Sequence, residues 1–348
     1  MLDQQTGESG SDHGACISPA CLDPLHPIWN DSSDDDSGIF GLPFGVEESS
    51  LVIVPIPWDA ACSQGTGTAK APDLILQCSR YVELHDLVLG NIYERGIAFH
   101  PAASQITALA AQANHIAATM ERPGERLDTL SQQLNHLVLK DITQHLANNR
   151  TIGLLGGDHS VSYGSIEAHL RAFPDMGILQ IEAHADLRPS LDGMRWSHAS
   201  VMWHVMEALK PVSLTQVGIR GICSVERAYQ NSNNRIRMYT DYEMQLQLTH
   251  STPWLSICED IINTLPAEIY LTLDIDGLDP AYCANTGTPV PGGLTYTQVL
   301  ILLHKIIESG RTLRGFDLVE VGGHYEDALL AAHLLYTLCG LVENRRQI

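Results

Sequence analysis

The sequence predicts an α/β fold of three layers, α/β/α, around a central and mainly parallel sheet, and three observations carry that reading. Strand-length runs are apolar along their whole length, as strands covered on both faces must be. The stretches between them show helical periodicity, and crossovers of that kind are what parallel strands require. Polar clusters stand where the strands end, the place where open α/β sheets gather ligands.

The elements follow in chain order. Residues 1–45 are rich in Ser, Asp, Gly and Pro and include Asp34, Asp35 and Asp36. Such a stretch buries too little apolar surface to offset its ordering entropy, so we expect a flexible acidic arm, or one that orders against another subunit. A single α/β domain is expected over 46–348. LVIVPIP at 51–57 reads as a strand, followed by a Gly-rich turn holding Gly65 and Gly67. Leu127, Leu130, Leu134, Leu137 and Leu146 lie on one face of a helix over 127–147. Strands are then expected at 151–155, 177–182, 214–220, 268–276 and 312–321. Helices are expected near 161–172, 199–209, 254–264, 295–308 and 325–342. No internal repeat is visible.

Composition narrows the function. A chain of 348 residues with 44% hydrophobic content suits one α/β unit with a substantial core. No run approaches the length of a membrane span. The N-terminal segment has neither a basic nor an apolar leader region, so a cytoplasmic protein is expected. The 41 acidic residues outnumber 20 basic ones, for a net charge of −21, which argues against nucleic acid as a partner. That balance suits a cationic small molecule and also serves solubility. The eight cysteines form no CxxC pair and read as reduced thiols. Cys16 and Cys21 lie between His13 and His26, a spacing loose for a zinc clip.

Chemistry concentrates at three strand ends. One strand runs into Gly156-Gly157-Asp158-His159-Ser160, a second into Glu182-Ala183-His184-Ala185-Asp186, and a third into Asp274-Ile275-Asp276-Gly277-Leu278-Asp279-Pro280. Alternate residues of a strand share a face, so Glu182, His184 and Asp186 are expected to point one way, and so are Asp274 and Asp276. With His159 they make six groups at one sheet edge. Gathered acids repel unless cations compensate them. Two divalent ions sharing carboxylates can use six ligands and keep a position open for water. The O/N donor set fits Mn(II), with Ni(II) as the competitor.

Gly-Gly-Asp-His, then Ala-His-x-Asp, then Asp-x-Asp-x-x-Asp-Pro, in that order, resembles the arginase/agmatinase (ureohydrolase) family. The likeness extends over about 50–345, because Pro57-Trp58-Asp59, Gly65, Gly67 and Pro72 also resemble that family's opening segment. The resemblance implies an arginase-like fold and a binuclear-metal hydrolase that cuts a C–N bond of a guanidine-type compound, releasing urea and an amine. It implies that His159, Asp186 and Asp274 hold one metal with Glu182. His184, Asp276 and again Asp274 would hold the other. His198 resembles a proton-shuttling histidine and joins Asp186 and Asp276 as the catalytic groups. Glu320 resembles the carboxylate that orients the guanidinium. A homo-oligomer, trimer or hexamer, is implied, with a hetero-oligomer as the alternative.

Two departures from that pattern bear on function. Glu182 stands where the family has a bridging Asp, and one added methylene moves the carboxylate by roughly 1.5 Å. Val321-Gly322-Gly323-His324 replaces the family's Asn-Pro after its glutamate. The substrate end is therefore open. Arg188 could receive a carboxylate, as in guanidino acids or formimidoylglutamate, or make a structural ion pair. Trp196 and Trp203 could wall a pocket for an alkylated cation such as an alkylguanidine or a biguanide like metformin, or pack in the core. Alternative readings are a non-catalytic subunit of a hetero-oligomeric ureohydrolase and a formimidoylglutamase-like hydrolase.

Overall fold

The computed structural model describes residues 38–60, 67–120 and 124–343. The arm as far as residue 37, the Cys16/Cys21/His13/His26 clip and Gly65 lie outside the described residues. Packing begins earlier than the expected boundary near 46. Ile39, Phe40 and Leu42 are buried. The Phe40 N–H donates to Ser79 Oγ at 2.8 Å, and its ring meets Tyr336 edge-on at 4.8 Å.

Eight strands form one sheet: β1 (Leu51–Ile56), β2 (Ile97–Phe99), β3 (Thr151–Gly156), β4 (Gly177–Ile181), β5 (Leu214–Ile219), β6 (Ile236–Thr240), β7 (Glu268–Asp274) and β8 (Thr312–Val319). Their spatial order is β2-β1-β3-β8-β7-β4-β5-β6. Every neighbouring pair is parallel, so the sheet is wholly parallel where a mainly parallel one was expected. The six anticipated strands are all present. β1, β4 and β5 are buried at every position, which is why their sequences read as unbroken apolar runs. The two unanticipated strands are the edges. β2 has only three residues, and β6 (IRMYT) buries fully only Ile236, so neither carries the signature of a covered strand.

Ten helices connect the strands among the described residues: α1 (Ala71–Cys78), α2 (Ser104–Thr119), α3 (Gly124–Ala147), α4 (Ser162–Ala172), α5 (Val201–His204), α6 (Ser224–Ser232), α7 (Asp241–Thr249), α8 (Trp254–Asn263), α9 (Tyr296–Glu308) and α10 (Tyr325–Glu343). They cover the sheet and complete the three-layer α/β/α class. The helix expected over 199–209 is instead a short 3-10 turn (His198–Ser200), α5 and a π turn (Val205–Leu209) that stops at Lys210 with φ of 55°. α9 starts on a reciprocal cap. The Thr295 hydroxyl accepts from the Gln298 N–H, and the Gln298 side chain accepts from the Thr295 N–H at 2.9 Å. α6 and α7 were not anticipated because they bury few apolar residues; the one buried residue of α6 is Glu226.

One core cluster joins β1 and β3 to α2 and α3 through Val52, Ile56, Ile106, Leu130, Leu134 and Val138. Another joins β4, β5 and β7 to α4 and α5 through Ile166, Ile178, Val201, Leu214 and Tyr270. Full burial of a side chain of that size is worth about 1.5–3 kcal/mol. The packed sheet makes the site possible: β3, β8, β7 and β4 are successive neighbours, so the segments leaving their carboxyl ends meet. No helix among the described residues is long and apolar enough to cross a membrane.

Candidate metal centre

β3 leads into Gly157, whose added Cβ would lie 1.8 Å from the Trp58 carbonyl oxygen, so only glycine fits there. Asp158 then caps a 3-10 turn by accepting from the Ser160 N–H at 3.0 Å, and this delivers His159 to the rim. β4 stops at Ile181, one residue before Glu182. β7 ends on Asp274, whose carboxylate accepts from the Asp276 N–H at 2.8 Å and tightens a 3-10 turn over Ile275–Gly277.

The six expected groups converge, but strand alternation is not the reason. Glu182, His184 and Asp186 lie beyond the end of β4, and Asp186 has a left-handed backbone with φ of 52°. That strained turn brings Asp186 back beside His159 while His184 faces Asp276. His159 Nδ1 lies 3.1 Å from Glu182 Oε2, 3.2 Å from Asp186 Oδ2 and 3.4 Å from Asp274 Oδ2. His184 Nδ1 lies 2.9 Å from Asp276 Oδ2 and 3.8 Å from Glu182 Oε1. Two donor groups result, His159/Glu182/Asp274 and Glu182/His184/Asp276, each with its ligand atoms within 4.8 Å of one another. Glu182 belongs to both. One of its oxygens faces each histidine.

The electrostatics ask for positive charge. Burial pushes the Glu182 carboxyl well above its ordinary range, and the neighbouring Asp186 carboxylate pushes it further. Burial and Asp276 raise Asp274 as well. Burial alone would discharge His159 and His184, yet the surrounding carboxylates win. They hold His159 well above the usual imidazole range and His184 at about 9. Burial also pushes Asp276 up, but its hydrogen bond and charge contact with His184 outweigh this and leave it low.

Two buried atoms test whether a cation fits. His159 Nδ1 and Asp186 Oδ2 have no hydrogen-bond partner. The Thr272 hydroxyl donates to Asp317 Oδ1 at 2.7 Å, so at 2.8 Å it can only accept from His159 Nε2–H. Without a cation the three carboxylates favour a proton on Nδ1; the neutral imidazole, with its proton on Nε2, would offer Nδ1 to a divalent cation in that proton's place. No lysine or arginine among the described residues forms a salt bridge with these carboxylates. The donors are all nitrogen and oxygen.

A cavity of about 190 Å³ opens onto the centre, lined by His184, Asp186, Arg188, Leu191, His198, Ala199, Gly221, Glu226 and Thr288. His198 is on the cavity wall together with His184 and Asp186. Arg188 also lines the wall, but its Nε lies 3.4 Å from Glu226 Oε2, so it makes the structural ion pair. Glu226 in turn accepts from the N–H groups of Leu187 and Cys223 at 3.1 and 2.8 Å. Trp196 is not among the residues lining this cavity; partly buried against the core, its indole stacks on His204 at 4.2 Å and meets Tyr163 edge-on at 4.8 Å. Trp203 also faces His204, at 4.9 Å.

Glu320 is buried with φ of 62° outside the cavity lining, and its Oε1 accepts from the His159 N–H at 2.8 Å. A carboxylate oxygen accepts more than one hydrogen bond, so this contact holds the His159 backbone without using up the carboxylate. Several neighbours escaped the sequence reading. Glu226 and Thr288 had no local signal. Arg220 was also missed; its guanidinium donates to the carbonyls of Asp276 (2.7 Å), Leu278 (3.1 Å) and Val290 (3.0 Å) and clamps the segment carrying Asp276.

Comparison with known proteins points one way. The model of the arginase family matches residues 49–340. An N(1)-aminopropylagmatine ureohydrolase of Thermus thermophilus is 30% identical over 298 residues, which cover 85% of this chain and 91% of that protein. The agmatinase of Bacillus subtilis (strain 168) is 27% identical over 286 residues, 80% of this chain and 86% of that protein. Among solved structures, the agmatine ureohydrolase of Thermoplasma volcanium superposes with a TM-score of 0.67 at 22% identity, covering 86% of this chain and 92% of that one.

Proposed function

The chain belongs to the arginase family, as a hydrolase acting on amidine C–N bonds, and we propose that it cuts a small cationic guanidine-type compound to urea and an amine. Guanidino compounds, alkylguanidines and biguanides all fall in that class. The observation that carries the reading is the placement of Glu182, with Oε2 at 3.1 Å from His159 Nδ1 and Oε1 at 3.8 Å from His184 Nδ1. A carboxylate with one oxygen toward each half can still bridge, longer side chain or not. This supports a working pair of ions over a decayed scaffold subunit.

In this reading His159, Asp186 and Asp274 would hold one divalent cation, His184, Asp276 and again Asp274 would hold the other, and Glu182 would offer one oxygen to each. The nitrogen and oxygen donors suit Mn(II) or Ni(II). When bound, such a pair supplies the Lewis acidity that lets water attack a carbon as unreactive as a guanidinium's at neutral pH.

The chain's own residues do the rest. The acidic rim and the net charge of −21 attract a cation toward the cavity. Asp186 and Asp276, at the cavity wall and against His184, orient the substrate's N–H groups on the approach side. His198, through an imidazole nitrogen, delivers a proton to the departing amine. Glu320 acts as a positioning residue, since it holds the His159 backbone. Arg188 lines the cavity with its Nε against Glu226, and guanidinobutyrate in the panel below tests whether its remaining N–H groups receive a substrate carboxylate.

The test is urea release from agmatine, guanidinobutyrate, guanidine, dimethylguanidine and metformin, by chain reconstituted separately with Mn(II) and Ni(II). Urea from at least one member is expected. Metal-loaded chain that releases none from any member overturns the proposal.

A further inference from the structure

Four buried polar side chains stand side by side across the middle of the sheet, one layer beneath the metal centre. Gln216 of β5 pairs in register with Gln180 of β4, Gln180 with Thr272 of β7, and Thr272 with Asp317 of β8. Each is 0% exposed. On β4, β7 and β8 their neighbours along the strand are Leu179, Ile181, Leu271, Leu273, Phe316 and Leu318, all buried and apolar, while Gln216 on β5 lies between Thr215 and Val217. Gln180 comes two residues before Glu182, and Thr272 two before Asp274. Polar groups in such an interior cost free energy unless each finds a partner, and apolar side chains of the same size would pack there at no such cost.

The hydrogen bonds run in two branches that end on the same pair of atoms. In one branch, the Gln216 amide donates to Gln180 Oε1 at 2.7 Å and to the Ala185 carbonyl at 2.8 Å. The Gln180 amide then donates to Glu182 Oε2. In the other, Asp317 Oδ1 accepts from the Thr272 hydroxyl at 2.7 Å, so the Thr272 oxygen accepts from His159 Nε2–H at 2.8 Å. Glu182 Oε2 and His159 Nδ1, where the branches end, are 3.1 Å apart.

We propose that Gln216, Gln180, Thr272 and Asp317 are positioning residues of the metal centre, and that Gln180 is the partner that seats a glutamate at position 182. The row pins the Glu182 oxygen on the His159 side and leaves the other directed at His184. It also fixes the His159 tautomer that offers Nδ1 to a cation. Partners behind metal ligands act in this way, orienting the ligand and setting its basicity. The inference rests on the reading of this rim as a metal centre.

The experiment uses the full chain, stripped of metal by chelator and titrated with Mn(II) by calorimetry, alongside Thr272→Val, Thr272→Ser, Gln180→Leu and Asp317→Asn. Thr272→Val and Gln180→Leu are expected to weaken Mn(II) binding about 10- to 100-fold. Thr272→Ser, which keeps the hydroxyl, should restore most of the affinity. Each apolar replacement strands a buried partner, His159 Nε2–H and Asp317 Oδ1 for Thr272→Val and Glu182 Oε2 for Gln180→Leu, so melting temperatures in chelator are expected to fall as well. A merely structural role would lower the melting temperatures and leave the Mn(II) affinity of the folded chain at the parent value. Should Thr272→Val fail to fold, Gln180→Leu carries the same test from the other branch. Parent-like affinity in the Val and Leu variants overturns this proposal alone. A parent chain that binds neither Mn(II) nor Ni(II) overturns the metal reading with it.

Discussion

The two halves of the centre share Glu182 but differ in exposure. The His159 side chain is 1% exposed and ringed by Glu182, Asp186 and Asp274. The His184 side chain is 28% exposed, lines the cavity with His198, and faces Asp276. His184 also needs Gly221 beside it, since an added Cβ there would come within 2.6 Å of the ring. In the proposed reading the first half holds an ion, with Thr272 behind His159 and Gln180 behind Glu182. The second, open to the cavity, meets substrate. Hence the halves should fail differently.

The largest effect belongs to Asp274, proposed as a ligand of both ions. Asp274→Ala is expected to abolish urea release and to remove both ions, as read by elemental analysis of the purified chain. Retained turnover would refute the shared-ligand assignment. Next, His198→Asn should lower kcat by about 10²–10⁴-fold, the usual worth of a general acid, while the metal content stays at the parent level. If metal is lost together with activity, His198 belongs to the centre and not to the proton transfer.

The halves themselves are then compared directly. His159→Ala should lose both ions, whereas His184→Ala should keep the buried one and lose the cavity-side one, with affinity falling about 10- to 100-fold for the site disturbed. Equilibrium dialysis against labelled Mn(II) distinguishes them; identical losses in the two variants would erase the asymmetry.

The smallest effect comes from a control imidazole. His169 is as buried as His159 but has no carboxylate beside it. Its Nδ1 contacts the Ser165 carbonyl at 2.8 Å, its ring lies 4.9 Å from Tyr270, and burial holds it down to about 4. The folded state therefore binds fewer protons than the unfolded one below pH 6.5. Stability is full above that pH and is lost as pH falls toward 4. Between pH 6.5 and 5.5 the loss should be roughly 1 kcal/mol, from the pKa difference. Urea unfolding at both pH values checks it, and His169→Gln should show a shallower dependence. Equal slopes would remove the argument that burial alone discharges an imidazole here.

The comparison also shows what a sequence can reveal. The covered strands were legible because burial on both faces writes an uninterrupted apolar run, as in LVIVPI of β1. The edges β2 and β6 were not, being short or half exposed. The ligand set was legible because Glu182, His184 and Asp186 are anomalous after GILQI, although the turn at Asp186 and not strand alternation brings them together. Trp196 misled because an aromatic beside a polar cluster looks the same in sequence whether it faces a cavity or, as here, His204 and Tyr163. Arg188 could not be assigned because Glu226, its partner, lies 38 positions away on a different element. Gln180, Thr272 and Asp317 pass unnoticed inside runs that read as apolar strands. Their purpose depends on a cross-strand register that sequence alone does not supply.

The account stands on a bridging Glu182. A crystal of the full chain grown with Mn(II), with data collected at the manganese absorption edge, tests it most directly. Two anomalous peaks per chain are predicted, one against His159 and one against His184, with a Glu182 oxygen on each. A single peak, or two peaks with Glu182 turned away from both, would contradict it.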